Sequence, residues 1–289
     1  DRRDRRDRRD RRDRRDRRDR RDRRDDEIPD RLTLHVGDEG RLFERSRPRS
    51  RPNELVVSPV ELHQRNVQRR LREARLPKDA FRFEDPVGVC LRVLESAGRP
   101  TGAVDRVDRL SLIRSIFGVT APDDSTGFAL STGAPSRDPR RVERIRTEVE
   151  ALTNFHPERL SAWTDTAAEL DGPLDAEADA VLDAALGIER ELRDRTAKAV
   201  SETALLRRAT RSITATNGSV WREAYPDIDR LTLLGLSSLS APHTDLVNAL
   251  LAATSLEVHV HFREGTGEFL RRRTPELLAV TDPGTEAFE

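Results

Sequence analysis

Residues 229–262 read DRLTLLGLSSLSAPHTDLVNALLAATSLEVHVHF, and the fold follows from how this stretch is parsed. Leu231 to Leu234 is a short apolar run closed by Gly235, and Pro242 stands where a helix N-terminus accepts proline. Leu246, Leu250 and Leu251 then recur at helical spacing, whereas Leu256, Val258, Val260 and Phe262 alternate as in a strand. A strand, a crossover helix and a second parallel strand satisfy both periods.

Upstream the same alternation is found. Leu32, Leu34 and Val36 form a strand that stops at Gly37, and Gly37 to Asn53, with Pro48 and Pro52, reads as loop. Glu54 to Val57 makes a second strand, followed by a helix with Leu62, Val67 and Leu71 on its apolar side. Ala80 to Phe83 is a third strand, and Asp85-Pro86 caps a buried helix ending at Gly98. A further helix over Val104 to Phe117 packs Val107, Leu110, Ile113 and Ile116 and stops at Gly118. Strand and helix in alternation specify an α/β fold with a parallel sheet.

From about Arg140 to Ile213 only helical spacing is found. Val142, Ile145, Val149 and Leu152 form one apolar stripe, and Val181, Leu182, Leu186, Ile188 and Leu192 another. Thr216 to Pro226 then returns the chain to the sheet. The expected organisation is a low-complexity, disordered tail over 1–30, α/β structure over 31–120 and a linker over 121–138. A helical insertion over 139–215 follows, and the α/β domain resumes over 216–289.

The chain holds 53 basic and 53 acidic residues, but this balance hides an asymmetry. Residues 1–24 are eight Asp-Arg-Arg triplets carrying 16 Arg and 8 Asp; the remainder has 37 basic against 45 acidic residues, a net charge of −8. A period of three suits no amphipathic helix and offers nothing apolar to bury, so the tract reads as a tail able to contact phosphates without specificity. Lys78 and Lys198 are the sole lysines; abundant acid with little lysine fits either a salt-rich cytosol or a GC-rich codon bias. There is no methionine and the chain begins at Asp1, so it reads as a fragment.

The single cysteine, Cys90, excludes an internal disulfide and a multi-cysteine zinc site, and its apolar setting makes it an inert core thiol. No apolar run reaches about 18 residues and no secretory signal is present, so a cytoplasmic protein without membrane spans is expected.

Catalytic signatures fail one by one. A phosphate-binding loop needs glycines followed by lysine and a hydroxyl residue, and Gly37, Asp38 and Gly40 have neither in train. A P-loop ATPase also carries a metal-holding acid after the strand that follows such an insertion, where this chain offers Gly235, Leu236 and Ser237. Gly235-Leu236-Ser237 resembles a hydrolase nucleophile elbow, but Leu239 occupies the second glycine's place. The competing enzymatic reading is therefore an α/β hydrolase with a site near Gly235 to Ser238 and His259. His259 and His261 share one face of a strand, without the acids or cysteines to complete a metal site, and read as a structural or edge-strand pair. Trp163, Trp221 and Tyr225 read as core. Arg65, Arg69, Arg70 and Arg72 lie on the polar side of a surface helix and are the candidate contacts to a nucleic-acid backbone.

The order of LVVSPVELHQRNVQRRL, FRFEDPVGVCLRVLESAG, a helical stretch and LTLLGLSSLSAPHTDLVNALL resembles the N-terminal helicase-like region of AddB-type subunits of DNA helicase-nucleases, over about Leu32 to Phe262. The resemblance implies a parallel RecA-like, P-loop-type sheet interrupted by a helical subdomain, inactive as an ATPase and gripping DNA beside a motor subunit. It implies degenerate nucleotide-site positions at Gly37, Asp38, Gly40, Gly235 and Ser237, with no catalytic residue, metal or cofactor in this fragment. In the full-length protein it implies a following nuclease domain of the PD-(D/E)XK type. Two departures are plain: Gly37 to Phe43 is no Walker A loop, and neither nuclease carboxylates nor cluster-binding cysteines occur before Glu289.

Overall fold

The computed structural model describes residues 29–37, 39–46, 52–119, 138–170 and 174–288. The tail expected over 1–30 and the linker expected over 121–138 lie almost wholly outside these residues.

Five strands form one sheet: β1 (Leu32–Val36), β2 (Glu54–Val57), β3 (Phe81–Glu84), β4 (Arg230–Leu236) and β5 (Glu257–Phe262). Every pairing is parallel, in the order β1-β5-β4-β2-β3. The opening stretch supplies two neighbouring strands in mid-sheet. Leu231, Leu233 and Leu234 are buried because β4 is covered on both faces, which is why it reads as a run and not as an alternation.

Eleven α-helices occur among the described residues. The first is α1 (Gly40–Glu44), inside the segment expected to be loop; Leu42, with no exposed surface, pins it to the sheet. Then come α2 (Glu61–Glu73), α3 (Pro86–Ser96) and α4 (Arg106–Val119). The α3 N-terminus is as expected: Pro86 sits in the first turn, and the Asp85 carboxylate accepts the Gly88 N–H at 2.9 Å. Gly118 does not end α4, which runs one residue further.

The helical stretch contains α5 (Pro139–Thr153), α6 (Pro157–Ala167), α7 (Leu174–Arg195) and α8 (Glu202–Ala215). A short helix, α9 (Ser219–Ala224), occupies the segment expected to lead straight into the sheet, and Trp221 and Tyr225 are both buried there. The last two are α10 (Ala241–Ala253), between β4 and β5, and α11 (Gly267–Leu278).

One sheet face packs Leu55, Val57, Leu231, Leu233, Val258 and Val260 against α3 and α10, and α8 adds Leu205, Ala209 and Ile213 to the same core. Cys90 lies within this core, and burial pushes its thiol well above the ordinary range. The opposite face has a smaller core in which Val56 and Leu234 meet Leu42, Val67 and Leu71. Three residues assigned to apolar stripes turn outward instead: Leu62, Val107 and Leu152 are 67%, 72% and 63% exposed. Each flanks a stripe narrower than its sequence spacing suggested, and Val67, Ile113 and Val149 carry the burial.

Candidate functional site

A cavity of about 270 Å³ opens at the carboxyl ends of β1, β4 and β5, where parallel α/β sheets bind ligands. Gly37 and Gly235 line it, so two of the five positions singled out in the sequence meet across the width of β5. Both have φ of +71°, which a side chain rarely adopts. Both also lie hard against neighbours: a Cβ on Gly37 would fall 2.6 Å from Glu264 Cγ, and one on Gly235 would fall 2.8 Å from His63 Nε2. Gly235 sits inside β4 and not after it, at a register shift between Leu234 and Leu236.

The remaining walls are Glu39, His63, His261, Phe262, Arg263 and Glu264. His63, from the first turn of α2, places Nε2 2.8 Å from Glu39 Oε1, and Arg70 reaches Glu39 Oε2 at 2.6 Å. The His63 hydrogen bond, opposed by burial and aided by the charges of His63 and Arg70, holds the Glu39 carboxyl below the usual range. The cavity thus combines carboxylates with a guanidinium and imidazoles. Among the described residues no lysine or hydroxyl side chain lines it.

Of the other positions, Asp38 lies outside the described residues. Gly40 opens α1, and Ser237 is exposed, its carbonyl accepting the Thr266 hydroxyl at 3.1 Å. Sequence reasoning missed Glu39, His63, Arg263 and Glu264. Arg263 and Glu264 directly follow β5, so the rule that ligands gather at carboxyl ends of strands was a usable signal; nothing local marked Glu39 or His63.

β5 is an interior strand, which corrects the edge-strand reading of His259 and His261. His35 on β1 stacks on His261 with ring centroids 4.2 Å apart, and its Nε2 lies 3.0 Å from His259 Nδ1. Burial, then the charges of Arg45 and Arg230, pull His259 down to about 4, so it is neutral at physiological pH. Among the described residues no group of three or more such side chains is arranged to hold a metal ion. His259 is level with Thr232 of β4, and Leu236 is level with Phe262 because of the bulge at Gly235, so Ser237 lies four strand rises from His259, about 13 Å along the sheet. The hydrolase reading needs the two in hydrogen-bond reach, and the sheet keeps them apart.

The four candidate DNA contacts all lie on the outer side of α2. Arg65 pairs with Glu61 at 2.5 Å, Arg69 with Glu73 at 2.6 Å, and Arg72 Nε donates to the Gln68 carbonyl at 3.4 Å. Arg70, besides binding Glu39, stacks 4.6 Å above the Phe43 ring. Trp163 donates to the Ala178 carbonyl at 3.2 Å, and the Tyr225 hydroxyl to Glu84 at 2.6 Å. Both aromatics serve packing, as expected.

The fold and site together define an α/β protein with a five-stranded, all-parallel sheet and a polar cavity at its carboxyl edge. A family model described as halobacterial UvrD-like protein matches residues 18–289, and the chain belongs to that family. This relationship is helicase-like and broader than the AddB-type resemblance. The match omits most of the Asp-Arg-Arg tract. No curated protein matches the chain. Among the described residues no helix is long and apolar enough to cross a membrane.

Proposed function

We propose that this chain is a catalytically silent, helicase-like DNA-binding scaffold: a RecA-like domain that positions DNA for a motor subunit and a nuclease domain in double-strand-break end processing. In this reading residues 31–120 and 216–289 make the RecA-like domain, and 139–215 are its helical insertion. The observation that carries it is the lining of the sheet-edge cavity. A nucleotide triphosphate and its Mg²⁺ need a lysine, a hydroxyl and a carboxylate on the neighbouring strand. Here the carboxylates of Glu39 and Glu264 line the cavity beside Arg263, and β4 ends in Gly235 and Leu236, with Ser237 following. Carboxylates in place of lysine repel a polyphosphate, and the absence of an acid after β4 leaves Mg²⁺ without its anchor.

DNA binding is supported by the family's UvrD-like character and by the arginines of α2. Their pairs with Glu61 and Glu73 are exposed, worth about 0–1 kcal/mol each, so exchange for phosphate oxygens costs little.

The test is direct. Purified protein should hydrolyse no ATP with Mg²⁺, alone or with DNA, and should bind single-stranded or duplex DNA with an affinity that falls steeply as salt rises. Reversing Arg65, Arg69 and Arg72 to Glu together should weaken binding at least tenfold. DNA-stimulated ATP turnover would refute the silent site, and no DNA binding at any salt concentration would refute the scaffold.

A further inference from the structure

Residues 281–288, TDPGTEAFE without its last residue, cross the outer side of the helical layer in no regular structure. They are held mainly by side chains. Three guanidinium groups converge on one carboxylate: Arg207 Nε at 2.8 Å, Arg211 at 2.8 Å and Arg193 all donate to Glu286. Burial pushes this carboxyl up, but the Arg193 hydrogen bond and the charges of Arg207 and Arg193 overcome it and leave it at about 2.

Two residues on, the Phe288 ring meets Phe155 edge-on at 5.4 Å and lies 4.4 Å beneath the Arg193 guanidinium, with Arg190 at 5.8 Å. The Ala287 N–H donates to the Phe155 carbonyl at 2.9 Å. Gly284, at φ +92°, lets the segment run flat against the Arg211 backbone. Glu189 also pairs with Arg193 at 2.9 Å and Glu150 with Arg207 at 3.2 Å, but both carboxylates are shared with Arg146, so without Glu286 the guanidinium groups here would outnumber them. Arg208 feels the crowding: burial, then Arg193, Arg207 and Arg211, hold it below its ordinary value, and Glu286 relieves it.

We propose that the arginine-rich face of α7 and α8 beneath residues 281–288 is a binding site for single-stranded nucleic acid, covered in this state by an internal mimic. Glu286 stands in the place of a phosphate and Phe288 in the place of a base. A carboxylate gripped by several guanidinium groups beside an aromatic ring clasped by others is the pattern of a backbone-tracking, base-stacking site. Isolated anion binding accounts for Glu286 alone. It does not account for Phe288 between Phe155 and Arg193. When a strand enters, the segment lifts and the same groups change partner.

This inference rests on the DNA-binding reading, and hydrogen exchange on the wild-type protein separates the two. Adding a saturating dT12 oligonucleotide should accelerate exchange at Thr285 and Ala287, whose amides donate to the Asp282 and Phe155 carbonyls, at least tenfold. Bound oligonucleotide with unchanged protection there would overturn the inference and leave the scaffold standing; no binding would overturn both. An abasic oligomer of equal length should displace the segment at least tenfold less effectively, and equal displacement would overturn the assignment of the Phe288 place to a base. The double variant Glu286→Gln with Phe288→Ala, folded by circular dichroism, should bind dT12 about tenfold more tightly, and adding Arg211→Glu should abolish the gain. A folded double variant with unchanged affinity would overturn the mimic; should it fail to fold, the wild-type exchange experiment decides.

Discussion

Replacing Asp245 by Ala tests what joins the helical layer to the sheet. Asp245 sits on α10 with no exposed surface, and its carboxylate takes both terminal nitrogens of Arg159, at 3.0 and 2.6 Å, and Asn154 Nδ2 at 2.6 Å. Asn154 is the left-handed residue that ends α5, and Arg159 belongs to α6, so one side chain ties three helices. Removing one partner of a buried pair costs about 3–5 kcal/mol, because the other charge is stranded. Arg159 is 11% exposed in its side chain and keeps the Leu277 carbonyl at 3.3 Å, which favours the lower end. Leaving the Asn154 amide without its acceptor adds about 1 kcal/mol. The expected loss is therefore roughly 4 kcal/mol, a fall in Tm of about 8–16 °C for a chain of this size. Urea denaturation followed by circular dichroism, at low salt and again at 1 M salt, is the assay; a pair without water around it should lose little to screening. Adding Arg159→Met to Asp245→Ala should recover about 2 kcal/mol, since no buried charge is then orphaned. A loss under about 1 kcal/mol, or strict additivity of the two substitutions, would refute the reasoning.

Two further predictions concern backbone and pH. Gly218 and Gly98 both have positive φ, at +73° and +61°, but a Cβ on Gly218 would lie 2.2 Å from the Ala253 carbonyl oxygen whereas Gly98 faces open space. Gly98→Ala should cost only the left-handed strain of about 1–2 kcal/mol, and Gly218→Ala clearly more, because the obstacle is backbone; equal thermal shifts would contradict this. Acid should destabilise the protein in two limbs to which His259 and Glu286 contribute, with Glu39 and Glu150 adding to the lower one, since all four are depressed in the folded state and their stabilisation is lost as pH falls. His259, ordinarily at 6.5 and here about 4, contributes to the limb between those values. Glu286, ordinarily at 4.5 and here about 2, contributes at most roughly 3 kcal/mol to the lower one. Unfolding free energies against pH for His259→Gln and Glu286→Gln should show one shallower limb each, and profiles parallel to the wild type would sink the assignment.

How far the sequence was legible can be read from individual residues. The β4, α10, β5 unit was plain because β4 and β5 are buried mid-sheet, so their apolar content is nearly undiluted. Helix α1 was hidden because Leu42 is its one buried residue and five residues give no periodicity to detect. No helix was expected over Gly267–Leu278, where Arg271 to Arg273 and Pro275 interrupt any apolar stripe. The cavity's glycines were visible as strand-end punctuation. Their partners were not, because Glu264 meets Gly37 and His63 meets Gly235 only once the strand order β1-β5-β4-β2 is known, and spacing along the chain does not encode it.

The scarcity of lysine, which composition left open between salt and codon usage, acquires a structural reason at Arg146. This side chain, 1% exposed, donates to Glu143 at 2.9 Å, to Glu150 at 3.0 Å and to Glu189 at 2.8 Å, joining α5 to α7. Burial disfavours its charge, but Glu150 and Glu189 outweigh burial and raise its affinity for the proton. A planar fork of five donors can serve three carboxylates on two helices; an ammonium on a flexible stem presents three donors from one point and gives up its proton more readily when buried. Arg207 repeats the arrangement with Glu150, Glu286 and Asn154. The surface pairs of α2 are of another kind, since at 1 M salt charges a few Å apart in water are largely screened. The buried network requires arginine at any ionic strength.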